Sequence, residues 1–273
     1  MKVQFQNSTL TIFESALYQT TSTVIIHSDF ILIVDPNWLP LEIETIQQFV
    51  KENRESQPLY LLFTHSDYDH IIAYRAFPGA KVIASLAFKN QPKKNEILQQ
   101  ILDFDDENYI HRNYPIEYPN VDIVISEDNE KVEIEGVSFI FQQAQGHNDD
   151  GIFTWIPSLG IFIVGDYLCD VEFPFIYVSG LEYLRTLGKA KKVILENEVQ
   201  FFIAGHGNFT QDKSQMLQRV EEAKKYINDL ISAINNNESF DFESFVKKYH
   251  FPKGMRSAHQ KNLEIITKEL QNK

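Results

Sequence analysis

Leu59-Tyr60-Leu61-Leu62-Phe63-Thr64-His65-Ser66-Asp67-Tyr68-Asp69-His70 changes character abruptly after its fifth residue. The apolar run Leu59 to Phe63 predicts a strand buried on both faces, as strands of a parallel sheet are. The polar run that follows places four potential metal ligands, His65, Asp67, Asp69 and His70, within six residues. Such a group has no packing role at the end of an apolar strand. A rigid sheet holds ligands well in the loop beyond it. Imidazole and carboxylate together suit borderline and hard divalent cations such as Zn, Fe or Mn.

The chain around this stretch alternates strand-like and helix-like segments. Leu10 to Phe13, Thr23 to Ile26 and Phe30 to Val34 read as strands, with a hairpin turn at Ser28-Asp29. Leu41 to Val50 carries helical spacing through Ile43, Ile46 and Val50. A short helix is expected over Ile71 to Phe77, a strand over Lys81 to Ala84, and irregular helix from 86 to 110. A second strand-rich block follows from Val121 to Val164. A helix near Leu181 to Glu196 precedes the strand Gln200 to Ala204. From Asp212 the stripe Met216, Val220, Ala223, Ile227, Leu230 and Ile231 marks an amphipathic helix ended by Asn235-Asn236-Asn237, with two further helices after it. The order predicts two αβ halves in layers, with a helical tail packed on one side.

Three later positions share the setting of the first loop. His147 stands in Gly146-His147-Asn148, Asp166 in Val164-Gly165-Asp166, and His206 in Gly205-His206-Gly207. Each follows a strand-like run and is marked by glycine, which lets backbone approach closely. A single histidine in a loop is usually solvated or hydrogen-bonded, so it is the ordered set that points to metal. Cys169 reads as a small buried residue, since a thiolate so near the ligands would favour a soft metal.

Composition narrows the function. The 273 residues carry a formal charge of −13, which repels the phosphate backbone and disfavours extended nucleic-acid binding and polybasic membrane attraction. A hydrophobic content of 43%, with 21 Phe and 12 Tyr, supplies a large core and excludes a disordered chain. One cysteine allows no intrachain disulfide, which fits a reducing compartment. The first residues lack the apolar run of a signal peptide, and no apolar stretch reaches the ~18 residues of a membrane span. The expectation is a cytoplasmic protein acting on a small molecule, without nucleic-acid or membrane partners.

The motif His65-x-Asp67-x-Asp69-His70, followed in order by Gly146-His147, Gly165-Asp166 and Gly205-His206-Gly207, resembles the signature of the metallo-β-lactamase superfamily. The resemblance spans roughly residues 1 to 210. It implies an α/β fold, a four-layer αββα sandwich over 1–210, with a C-terminal helical extension over 211–273 packed on it. It also implies two divalent metal ions, zinc first, with iron or manganese as alternatives. One ion would be held by His65, Asp67 and His147, the other by Asp69, His70 and His206, with Asp166 bridging. Asp35 is similar to the aspartate that braces the metal loops in this family.

The family's usual histidine is replaced here by Asp67. Similar carboxylate substitutions occur in flavodiiron proteins and in lactamase-like domains of DNA-uptake channels. Two divalent ions bring +4; the three aspartates and a bridging hydroxide cancel it, whereas a histidine at 67 would leave +1. A neutral site favours harder cations. The resemblance implies a dinuclear metal-dependent hydrolase of a small ester, thioester or lactone, with a metal-bridging hydroxide as nucleophile and Asp69 in the catalytic role of orienting it. A phosphodiesterase acting on a small diester, an iron-binding redox protein and a non-catalytic metal-binding module are the alternatives. Lys253, Arg256 and His259 on the tail are candidate substrate contacts beside a plain solvated face. Tyr68 and Tyr167 are candidates beside a packing role.

Overall fold

The computed structural model describes residues 1–272. Among them it is a mixed α/β protein with two sheets and eight α-helices. The strands are β1 (Lys2–Gln6), β2 (Leu10–Glu14), β3 (Thr21–Ile26), β4 (Ile31–Val34), β5 (Leu59–Leu62), β6 (Lys81–Ser85), β7 (Ile123–Ile125), β8 (Glu130–Ile134), β9 (Val137–Ala144), β10 (Gly151–Ile156), β11 (Ile161–Ile163) and β12 (Phe201–Ile203). The helices are α1 (Pro40–Asn53), α2 (Tyr68–Ile71), α3 (Leu86–Lys89), α4 (Lys94–Glu107), α5 (Gly180–Glu196), α6 (Lys213–Asn236), α7 (Phe242–Val246) and α8 (Met255–Gln271). By its internal contacts the chain forms two compact units, Met1–Phe141 and the remainder from Gln142, the division falling within β9.

The first unit contains the sheet β1-β2-β3-β4-β5-β6-β7. Its first three pairings are antiparallel, made by hairpins, and the last three are parallel. A parallel neighbour needs a crossover, which α1 supplies between β4 and β5. Every residue of β4 and β5 is buried, matching their unbroken apolar sequence. Trp38, Phe63 and Phe88 anchor the core of this unit with Ile43, Ile46 and Val50, the expected inner stripe of α1.

The second sheet runs β12-β11-β10-β9-β8. β10 and β11 pair antiparallel across Pro157-Ser158, and β11 and β12 are parallel. The helices expected beyond residue 210 are α6, α7 and α8, with residue 273 outside the described residues. The stripe on α6 is buried at Met216, Val220, Ala223, Ile227 and Leu230, while Ile231 is half-buried and Tyr226 takes an inner position. Asn237 ends α6 in the left-handed conformation at φ 54°. Within this unit α5, α6 and α8 pack on one another.

One local expectation fails. The helix placed over Ile71 to Phe77 is instead α2, which begins inside the ligand loop, followed by a 3-10 turn at Tyr74–Ala76. His65, Asp67 and Asp69 therefore do not share one extended segment. Asp67 is the N-cap, and its carbonyl accepts the His70 N–H at 3.0 Å. Asp69 and His70 lie on the first helical turn.

Candidate metal centre

In the first unit the ligand loop grows from the parallel pair β4 and β5. Parallel neighbours end at the same sheet edge, so Asp35, after β4, meets Thr64, after β5. The Asp35 carboxylate accepts from the Thr64 N–H at 2.9 Å and from the Thr64 hydroxyl at 2.6 Å. Its Oδ2 also lies 3.0 Å from His70 Nδ1. A carboxylate only accepts, so His70 carries its proton on Nδ1. The Thr64 hydroxyl has a single hydrogen, which it gives to Asp35. Its oxygen, 2.9 Å from His65 Nδ1, must therefore accept from that ring. Both imidazoles are thereby held as Nδ1–H tautomers with the Nε2 lone pair available to a cation. This is the usual arrangement behind a metal-binding histidine.

Each Nε2 has a carboxylate beside it. His65 Nε2 is 3.5 Å from Asp67 Oδ2, and His70 Nε2 is 3.5 Å from Asp69 Oδ2. The two rings are tilted at 46°, with centroids 4.1 Å apart. His65 and His70 are buried and Asp67 is the most open of the four. The structure thus brings together all four residues expected in this loop, braced by Asp35 as expected. Thr64 was missed: a threonine after a strand carries no ligand signal, and its role emerges only from its bond to Asp35. Tyr68 packs edge-on against Trp38 at 5.4 Å, and burial pushes its hydroxyl well above the ordinary range.

In the second unit the same edge logic operates on β11 and β12. Asp166 follows β11 and His206 follows β12, with the Gly205 N–H donating to the Gly165 carbonyl. His206 Nε2 lies 3.2 Å from Asp166 Oδ2, and His147 Nε2 lies 3.6 Å from the same oxygen. His147 Nδ1 is 2.8 Å from the Phe175 carbonyl, which can only accept, so this ring too is an Nδ1–H tautomer. Its backbone N–H donates to the Tyr167 hydroxyl at 2.9 Å. Tyr167 is buried against Phe153 and Tyr183, so it positions His147. Gly146, at φ +124°, lies so close to the Tyr183 backbone that a side chain would overlap it.

Burial pushes the Cys169 thiol well up, so it stays protonated, in keeping with its exclusion from the donor set. Of the tail candidates, His259 is buried, stacked on Phe242 at 4.3 Å and bonded to the Tyr226 hydroxyl. Arg256 pairs with Glu243. Lys253 is exposed.

The donor sets fit divalent ions: buried imidazoles, three of them tautomer-fixed, interleaved with carboxylates. Among the described residues no helix is long and apolar enough to cross a membrane.

The sequence profile of the metallo-beta-lactamase superfamily matches residues 16–233. No curated protein matches the chain. Among solved structures, a metallo-beta-lactamase family protein from Thermus thermophilus is 16% identical with a TM-score of 0.61, over 82% of this chain and 81% of that one. An archaeal metallo-beta-lactamase superfamily protein from Sulfolobus tokodaii is 13% identical with a TM-score of 0.55, over 98% and 100%. A double mutant of the sec-alkyl sulfatase PisA1 is 12% identical with a TM-score of 0.64, over 90% of this chain and 44% of that one. At these identities the structural likeness speaks for the fold alone. The profile covers most of the sequence and includes every one of the seven donor positions, from His65 to His206, and the chain therefore belongs to the metallo-beta-lactamase superfamily.

Proposed function

We propose that the two donor sets serve one dinuclear centre in a hydrolase of small esters, thioesters or lactones. His65, Asp67 and His147 take one ion, Asp69, His70 and His206 the other, and Asp166 both. The observation that carries this reading is the tautomer control: Asp35, Thr64 and the Phe175 carbonyl fix three imidazoles with Nε2 as a lone pair. Divalent ions bound there would make water available as a nucleophile near neutral pH and polarise the carbonyl under attack.

This chain's own residues supply the rest. Asp69 stands beside His70 Nε2 and is placed to orient the attacking water and hold its proton. Tyr167 and Gly146 keep His147 in place, so its ring does not swing when substrate enters. Asp67 adds negative charge where the family usually has a neutral imidazole, so the site attracts anionic substrates less than its relatives do. That favours neutral esters and lactones over phosphodiesters.

The test is turnover by protein loaded separately with Zn, Fe(II) or Mn(II). Substrates are p-nitrophenyl acetate, a thioester, a γ-lactone and bis(p-nitrophenyl) phosphate. Hydrolysis of one of the first three, abolished by EDTA and restored by metal, is the expected result. Turnover of the phosphodiester alone would replace the reading with a phosphodiesterase. Two bound ions with no turnover of any substrate would overturn it.

A further inference from the structure

We infer that Glu172 is a further protein ligand to the ion held by His206 and Asp166, an addition that rests on the dinuclear reading above. Asp166, Glu172 and His206 each offer a ligand atom, and the three atoms lie within 4.8 Å of one another. His206 is buried and Glu172 half-buried, on a loop of defined structure.

The loop is held there from several sides. The Asp170 carboxylate accepts from the Asn208 N–H at 2.9 Å and the Asn208 side-chain amide at 3.0 Å, and pairs with Arg219 at 3.2 Å. Gly207, at φ +84°, lets Asp170 come so near that a side chain there would overlap its carboxylate. Phe173, the residue after Glu172, is sunk among Tyr226, Phe242 and Phe245. Asp170 and Phe173 thus hold Glu172 beside His206 on two sides.

Asp166, Glu172 and Arg219 line one cavity of about 430 Å³, where Arg219 pairs with Asp170. A divalent ion satisfies Asp166, Glu172 and His206 at once. With Glu172 added, four carboxylates face two divalent ions, and their charges cancel before any water ionises. Such a site takes hard cations, Mn(II) or Fe(II), in preference to what an imidazole-rich site selects. Asp166 and Glu172 both line the cavity, so a substrate would approach these groups from there.

The test compares wild-type protein with Glu172→Gln and Glu172→Asp. Mn(II) and Zn(II) binding is measured by chelator competition and elemental analysis, and folding is followed by thermal unfolding of the metal-free proteins. The expected result is two ions in wild type and at least about tenfold weaker binding of one in Glu172→Gln, the loss being larger for Mn(II). Glu172→Asp should retain more affinity than Glu172→Gln. A Glu172→Cys variant loaded with Co(II) gives an independent readout: a thiolate-to-cobalt charge-transfer band absent from wild type. Two ions bound with wild-type affinity in Glu172→Gln, or a Glu172→Cys variant without the band, would overturn the assignment while leaving the dinuclear reading intact. Wild type that binds no ion would overturn both.

Discussion

Thr64 is a small residue with a large share in the ligand loop. Its single hydroxyl hydrogen goes to Asp35, and its oxygen then dictates where the His65 proton sits. Thr64→Val keeps the volume and removes both bonds. The expected outcome is a loss of about 1–3 kcal/mol in stability, from leaving buried polar groups unmet, and metal affinity lower by about 10–100-fold. Thr64→Ser should restore most of both. Denaturant unfolding and chelator competition are the measurements, and a Val variant with unchanged affinity would show that His65 needs no such brace. The candidate ligands were legible in the sequence because six residues dense in His and Asp have no packing use after an apolar strand. Thr64 was not, since its partner Asp35 lies 29 positions away in sequence.

Elements were legible wherever hydrophobic periodicity decides them: β4, β5, α1 and α6 lie where the apolar pattern put them. The start of α2 was hidden because Ser66 to His70 is polar throughout, and only the cap at Asp67 tells helix from loop. Helix α8 was foreseen as a helix but not as a support. Its Asn262 accepts from the Ile176 N–H at 2.8 Å and donates to the Pro174 carbonyl at 2.7 Å and the Tyr226 hydroxyl at 3.0 Å. Its Glu269 accepts from the Ser179 hydroxyl and from the N–H groups of Gly180 and Leu181, capping the N-terminus of α5 with a negative charge. The segment between Asp166 and α5 is therefore tied at 176 and at 179 to 181. Asn262→Ala should cost about 1–3 kcal/mol by stranding the buried Ile176 N–H, read as a lower denaturant midpoint at unchanged slope. An unchanged midpoint would mean that water takes over the bond.

For the molecule as a whole, stability should depend on pH through a histidine outside the donor sets. Burial among aromatic rings lowers the pKa of His259 below its usual value near 6.5. The unfolded chain therefore binds a proton there before the folded one does. Stability is intact above pH 6.5, falls as pH drops through that value, and stops falling once the folded state is also protonated. His259→Phe keeps the ring packing and should flatten this part of the curve, with a smaller drop in melting temperature between about pH 7 and pH 5 than wild type. Parallel curves would remove His259 as the cause. The net charge of −13 was legible from composition, whereas the fate of His259 was not. Lys253, Arg256 and His259 recur at intervals of three, which reads as one solvated face, yet only His259 turns inward.

The ties from Asn262 and Glu269 span 86 to 90 residues of sequence. During synthesis every proposed ligand, up to His206, leaves the ribosome before α8 exists. A nascent chain halted ahead of α8 would hold the whole donor set without the clamps that shape the segment after Asp166. Final shaping of that segment therefore waits until α8 has been made.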